Sequence, residues 1–276
     1  MSGIVLSSSV RSNLMQLQQT ADLISSTQTK LATGNRVNSA LDNPNNYFTA
    51  QGLDNRASDL SNLLDSMSTG INTIQAANNG ISAITKLVQS AQSLVSQAQQ
   101  TSEVSTRTSL AGQFDSIVDQ IGSLAKDSGF NGINLIGGND LKLTLNETGT
   151  SKTTVTAVDY TDATTGLGIA KQTSSWTADP LGDAAIKGAG DKLTTALATL
   201  RSESQTLGSN LSTVQIRQDF TKATINTLQS GSAALTLADS NQEGANLLAL
   251  QTRQQLSTTA LSLASQADQN VLKLFQ

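Results

Sequence analysis

The sequence predicts a mostly α-helical protein: an elongated helical bundle or coiled coil with paired terminal helices and one small β-hairpin region. Three observations predict it: heptad stripes of apolar side chains at both ends, a long apolar stripe between them, and a composition poor in bulky residues. At the N-terminal end the stripe runs Val10, Leu14, Leu17, Ala21, Ile24, a polar break at Gln28, then Leu31. At the C-terminal end it runs Leu256, Ala260, Leu263, Ala267, Val271, Leu274. Spacings of three and four place each set on one helical face, the seam that a coiled coil buries. The competing reading, core helices of an ordinary monomeric bundle, is opposed by their terminal positions and by polar breaks at 35–46 and 237–244. The large residues of the two stripes (Val10, Leu14, Leu17, Ile24, Leu31, Leu256, Leu263, Val271 and Leu274) are the candidate assembly seam.

The composition narrows the function classes. Aromatic residues make up 3 % of the 276 residues, and there is no Cys and no His. Aromatic side chains bury the most area per residue, so their scarcity argues for thin helical packing built from Leu, Ile, Val and Ala. Without Cys or His, neither a Ser-His-Asp nor a Cys-His nucleophile system can be assembled, and HExxH and thiolate zinc sites are impossible. A net charge of −4 and a pI near 4.8 disfavour a nucleic-acid partner, which needs clustered basic surface. No run approaches the ~18 apolar residues of a membrane span, so membrane insertion is not expected. Ile4–Val5–Leu6 is too short for the apolar core of a secretory signal, and no Lys or Arg precedes it.

The elements follow in order. The first helix ends near Gly34, and the polar stretch Asn35–Asn46, with Pro44, reads as a non-helical spoke. From about Gln51 to Gln100 the stripe Leu60, Leu63, Met67, Ile71, Ile74, Ala77, Ile81, Ile84, Val88 and onward to Ala98 is long and regular. From Leu60 to Ala98 it spans roughly 60 Å. Gly70 and Gly80 lie inside it at a cost of about 1 kcal/mol each relative to Ala, which the other positions outweigh. A further helix is predicted over 104–126, with Glu103 placed to pair with Arg107 four residues on. Strand-period alternation in Leu141–Leu145 and Thr154–Val158 predicts a hairpin near 139–158, with its loop over Asn146–Lys152. Tyr160–Ala178 reads as exposed loop. Asp179, Pro180 and Asp183 signal the start of a long helix through Leu235. The order returns the chain to its starting end, so each terminal stripe can serve as the other's partner. The domain division expected is 1–45 with 237–276, and 46–236.

Two constellations could carry chemistry. Asp115 and Asp119 share one helical face, but solvated carboxylates on a helix are far commoner than an acid–base pair, and no convergent groups support them. Gly166–Leu167–Gly168 is a bare GxG and reads as a turn. No enzyme activity and no cofactor are expected. Ser and Thr in 144–177 read as solvated surface; Thr144, Thr153, Thr164 and Ser174 are the candidate O-glycan acceptors. Asn146–Glu147–Thr148 and Asn210–Leu211–Ser212 match N-glycosylation sequons, which arise often by chance.

Several of these motifs together resemble bacterial flagellin, over nearly the whole chain. Asn35–Arg36–Val37–Asn38–Ser39–Ala40–Leu41–Asp42–Asn43 resembles the family's spoke, and Gly70–Ile71–Asn72–Thr73–Ile74 with Gly80–Ile81 its first long helix. Phe130–Asn131–Gly132–Ile133–Asn134–Leu135 is similar to the turn into its hairpin. Asn246–Leu256 and Asn270–Leu272 are similar to its C-terminus. The resemblance implies a structural subunit exported unfolded by the flagellar type III machinery, without a cleaved signal peptide. It also implies a homopolymer, open to flagellin paralogues, that forms an extracellular helical filament for motility. The implied partners are the export machinery, an export chaperone and the filament cap. Residues 1–45 and 237–276 would form the inner tube, ordering as their seam is buried, and 46–236 the outer tube. Only about Asp159–Asp179 could hold an insert, so no additional outer domain is expected. Gln89–Ser90–Ala91–Gln92–Ser93 lacks the charges of the family's innate-receptor patch, which implies weak receptor activation. A hook–filament junction protein is the alternative of the same class. An enzyme-bearing flagellin is opposed by the missing His and the small insert, and a membrane-inserting translocator by the lack of a long apolar hairpin.

Overall fold

The structure, a computed structural model, describes residues 8–172, 175–177 and 180–274, leaving aside the side chains of Asp268 and of residues 271–274. The element order is α1 (Ser8–Thr33), α2 (Pro44–Gln99), α3 (Val104–Asp127), β1 (Leu141–Thr144), β2 (Lys152–Val155), α4 (Ala163–Gly166), α5 (Leu181–Thr236) and α6 (Ser240–Leu274). The fold is thus mostly α with one small antiparallel hairpin, as the sequence predicts. The chain divides into two compact units, residues 1–57 with 226–276 and residues 58–225, with boundaries inside α2 and α5.

In the unit of residues 58–225, α2, α3 and α5 pack around one apolar core. The predicted α2 stripe supplies Met67, Ile74, Ile81, Ile84 and Val88, all at 2 % exposure or less. Leu110, Phe114 and Ile121 of α3 and Ile186, Leu193 and Leu200 of α5 complete it. Gly70 and Gly80 prove to be points of close approach. A Cβ on Gly70 would lie 2.7 Å from a Leu143 methyl, and one on Gly80 would strike the Ser128 hydroxyl and the Ile136 side chain. The helix-propensity cost at these positions is therefore the condition for seating the hairpin and the 128–136 turn on α2. Asp179, the expected cap of α5, lies outside the described residues.

The hairpin differs from expectation in its second strand. Leu141 pairs with Val155 and Thr144 with Lys152, so β2 lies two residues earlier than the alternation of Thr154–Val158 suggests. Beyond Val155 the backbone leaves the ladder: the Ala157 amide donates to Asp140 Oδ1 at 2.8 Å, and the Val158 amide to the Leu135 carbonyl at 2.8 Å. The Asn146 side chain closes the loop, accepting from the Ser151 amide at 2.9 Å and donating to Thr148 and Thr150 at 2.8 and 2.7 Å.

The largest departure is at residues 160–172 and 175–177, within the stretch Tyr160–Ala178 expected as exposed loop. Tyr160, Ala163, Leu167, Ile169 and Trp176 are all buried there, and α4 gives the segment one helical turn capped by Asp162. Trp176 packs against Phe114 of α3 in a tilted arrangement, with ring centroids 5.4 Å apart and an interplanar angle of 52°. The Gln172 amide donates to Asp115 Oδ1 at 2.5 Å, and Lys171 pairs with Asp119 at 2.8 Å. Asp115 is thus a buried docking group and not a solvated one. The apolar residues recur without period, so nothing in their spacing signals burial. Arg107 is likewise committed elsewhere than to Glu103. It binds Asp183 Oδ1 at 2.6 Å and the Thr101 carbonyl at 2.6 Å, while Glu103 caps α3 through the Ser105 amide.

In the unit of residues 1–57 and 226–276, α1 packs on α6, and the two breaks clasp each other. Both are shorter than expected. Asn43 caps α2 by accepting from the Asn46 amide at 3.0 Å, so Pro44 is its first helical residue, where a missing N–H costs nothing. Asp239 caps α6 through the Asn241 and Gln242 amides, leaving only 237–239 between α5 and α6. The amides of Arg36 and Val37 donate to the Thr236 carbonyl and that of Ala238 to the Gly34 carbonyl, at 2.8, 3.3 and 2.9 Å.

Candidate assembly surface

The α1 side of the terminal coil is a continuous heptad. Its shielded positions are Val10, Asn13, Leu17, Thr20, Ile24, Thr27 and Leu31, at alternating steps of three and four. The predicted Val10, Leu17, Ile24 and Leu31 fall on this face, whereas Leu14 stands beside it at 40 % exposure. Thr20 and Thr27 were not predicted as seam residues, yet they are 2 % and 6 % exposed. The Thr20 hydroxyl is satisfied within its own helix by the Gln16 carbonyl at 2.8 Å, which lets a polar residue occupy a buried position.

On α6 the shielded positions are Leu247, Leu250, Gln254, Ser257, Leu261 and Ala264. Leu256 and Leu263, predicted to meet the N-terminal stripe, instead stand 67 % and 62 % exposed. Val271 and Leu274 of the same stripe lie outside the residues with described side chains. α6 therefore carries two stripes, one mixed in polarity against α1 and one more apolar facing outward. Periodicity reveals the second because it is the more hydrophobic. The first is legible only as a heptad whose polar members, Gln254 and Ser257, interrupt the pattern.

Leu23, Thr27 and Lys30 of α1 and Glu243, Ala249, Leu250 and Arg253 of α6 line a groove of 520 Å³ between the two helices. Lys30 and Glu243 bridge it at 3.6 Å. Beyond the C-terminal end of α1 the 38–42 turn is held by the Asp42 carboxylate, which accepts from the amides of Asn38 and Ser39, each at 2.9 Å. These backbone donors hold the Asp42 carboxyl below the usual carboxylate range. The turn presents Leu41 at 96 % exposure.

The other sites considered in the sequence take structural places. Thr144 and Thr153 are half-buried on the hairpin ladder, Thr164 is exposed on α4, and Ser174 lies outside the described residues. Asn146, of the first sequon, is engaged in the hairpin turn described above. Gly166–Leu167–Gly168 forms the end of α4 and the turn after it. Burial pushes the Tyr160 hydroxyl up to about 12, with the Glu203 carboxylate adding to the shift, and burial raises Glu203 itself. Among the described residues no group of His, Cys, Asp or Glu is arranged to hold a metal, and no helix is long and apolar enough to cross a membrane.

A chain that joins a terminal helical coil, apolar on its outward face, to a three-helix core with one hairpin has the make-up of a self-assembling structural protein. Residues 5–140 match the bacterial flagellin N-terminal helical region, and residues 191–275 the bacterial flagellin C-terminal helical region. The chain belongs to the bacterial flagellin family, a family of structural proteins and not of enzymes. It is 35 % identical over 159 residues to Flagellin FljM of Caulobacter vibrioides, covering 57 % of this chain and 56 % of that one. It is 42 % identical over 81 residues to Flagellin A of Rhizobium meliloti, covering 29 % and 21 %. The chain thus spans about half the length of FljM and about a fifth of Flagellin A. Bacillus cereus flagellin, a solved structure, is 21 % identical with a TM-score of 0.47 over 58 % of this chain and 88 % of that one.

Proposed function

We propose that this chain is a structural subunit of the bacterial flagellar filament, polymerising with copies of itself, and with paralogues, outside the cell. It reaches the exterior through the flagellar export machinery, attended by a chaperone and placed by the filament cap, without a cleaved signal. The observation that carries the reading is the outward apolar stripe of α6, with Leu248, Leu256 and Leu263 each more than 60 % exposed. A helix that is apolar on two faces needs two partners, and α1 covers only one of them. In a family of filament subunits, the second partner is another copy.

Electron microscopy of the purified protein tests this: long hollow tubes are the expected product. Leu17→Asp removes the intrachain seam, and Leu263→Asp places a charge on the outward stripe. Both should abolish tubes while residues 58–225 keep their fold, read as an unchanged thermal transition of that unit. Normal tubes from Leu263→Asp would sink the role of the outward stripe.

A further inference from the structure

The terminal coil is sparingly charged, and three of its charges, Arg11, Asp22 and Arg253, are exposed and left over among the described residues. α1 carries only Arg11, Asp22 and Lys30, and between Gly244 and Ala267 α6 carries only Arg253. Lys30 is taken by Glu243. Asp22 and Arg253 are exposed, and among the described residues neither makes an ion pair.

The two stand at one level of the coil on faces that cannot meet within a copy. The Lys30–Glu243 bridge fixes the axial register. Asp22 lies eight residues back from Lys30, about 12 Å, and Arg253 ten residues on from Glu243, about 15 Å. Asp22 is two residues from the seam residue Ile24, about 200° around the helix, and so points away from α6. Arg253 lines the groove between the two helices together with Leu23, Ala249 and Leu250.

We infer that Asp22 of one copy pairs with Arg253 of a neighbouring copy, and that this pair sets the register in which the outer face of α1 lies along the outer stripe of α6. The inference rests on the self-assembly reading above. Its apolar positions agree with its charges. If the neighbouring α1 runs antiparallel to α6, Met15 falls seven residues from Asp22, opposite Ala260, which lies seven residues beyond Arg253. That seats Met15, 60 % exposed in the single chain, between Leu256 and Leu263. Such a contact joins two different surfaces, so it propagates into an open polymer and does not close a dimer. Exposed ion pairs contribute little by themselves, but like charges forced together in a closing interface are strongly disfavoured, which makes the pair a register selector.

The test is charge exchange between copies, read as the concentration at which full-length protein forms sedimentable tubes at low salt. Asp22→Arg and Arg253→Asp should each raise that concentration about tenfold or more. An equimolar mixture of the two variants should assemble near the wild-type concentration, because every contact that joins the original Asp22 to the original Arg253 is then balanced by one that joins Arg to Asp in the exchanged order. A pair formed within one copy would not be rescued by mixing. A mixture that stays soluble, or single variants that assemble like wild type, overturns the pair while wild-type tubes uphold the filament reading. Wild-type protein that forms no tubes overturns both.

Discussion

The two units of this chain treat their apolar residues in opposite ways. The unit of residues 58–225 hides Trp176, Phe114, Met67 and Leu193 at 1 % exposure or less. The terminal unit is the smaller, yet it holds nine of the fourteen large exposed apolar side chains among the described residues. Its helical pair buries Thr20 and Thr27 where a self-sufficient coil would bury leucine. One unit is a finished core; in the other the large apolar side chains Leu248, Leu256 and Leu263 face outward, which is what the proposed assembly would use. Exposure in the terminal unit is therefore a property of the single chain and not a defect of its fold.

The largest effect that could break this comparison is in the finished unit. Phe114→Ala removes the ring on which Trp176 rests and should cost about 3–5 kcal/mol, read by denaturant unfolding. The loss should fall on the segment 160–177 as well as on α3, since Gln172, Lys171 and Trp176 all dock there. Unchanged stability would mean that this segment is not part of the core.

A smaller effect is expected in the terminal unit. Leu256→Ala should change the stability of the dispersed monomer by less than about 0.5 kcal/mol, because the side chain is 67 % exposed. The same substitution should still raise the concentration needed for tubes. A large loss of monomer stability would show that the outward stripe is already covered within one chain.

What the sequence revealed follows the same division. Periodicity exposed α2, α3 and the outward stripe of α6, because Leu, Ile and Val recur there at helical spacing. It missed the true α6 seam, where Gln254 and Ser257 replace apolar residues, and it missed Trp176, Ile169 and Leu167, which recur at no fixed spacing. The spoke's boundary was misplaced for a simpler reason. Pro44 is a breaker inside a helix but a favoured first residue, and only the Asn43 cap distinguishes the two. Asp115 was legible as an acid on a helix, but its partner, the Gln172 amide, lies 57 residues away in the chain.

The smallest effect concerns the clasp at Asn38–Asp42 in the terminal unit. Asp42 has a lowered folded-state pKa, chiefly because the Asn38 and Ser39 amides donate to its carboxylate. A carboxyl that is more acidic when folded stabilises the fold above its unfolded pKa, about 4, and loses that contribution as pH falls through the lower folded value. Acidification below pH about 4 should therefore loosen the 38–42 turn, seen as faster hydrogen exchange at the Asn38 and Ser39 amides than the change in intrinsic rate accounts for. Asp42→Asn keeps one acceptor oxygen but removes the charge, so it should loosen the turn at neutral pH and abolish the acid dependence. Equal acid sensitivity of the 38–42 amides in Asp42→Asn would assign the effect to another carboxylate.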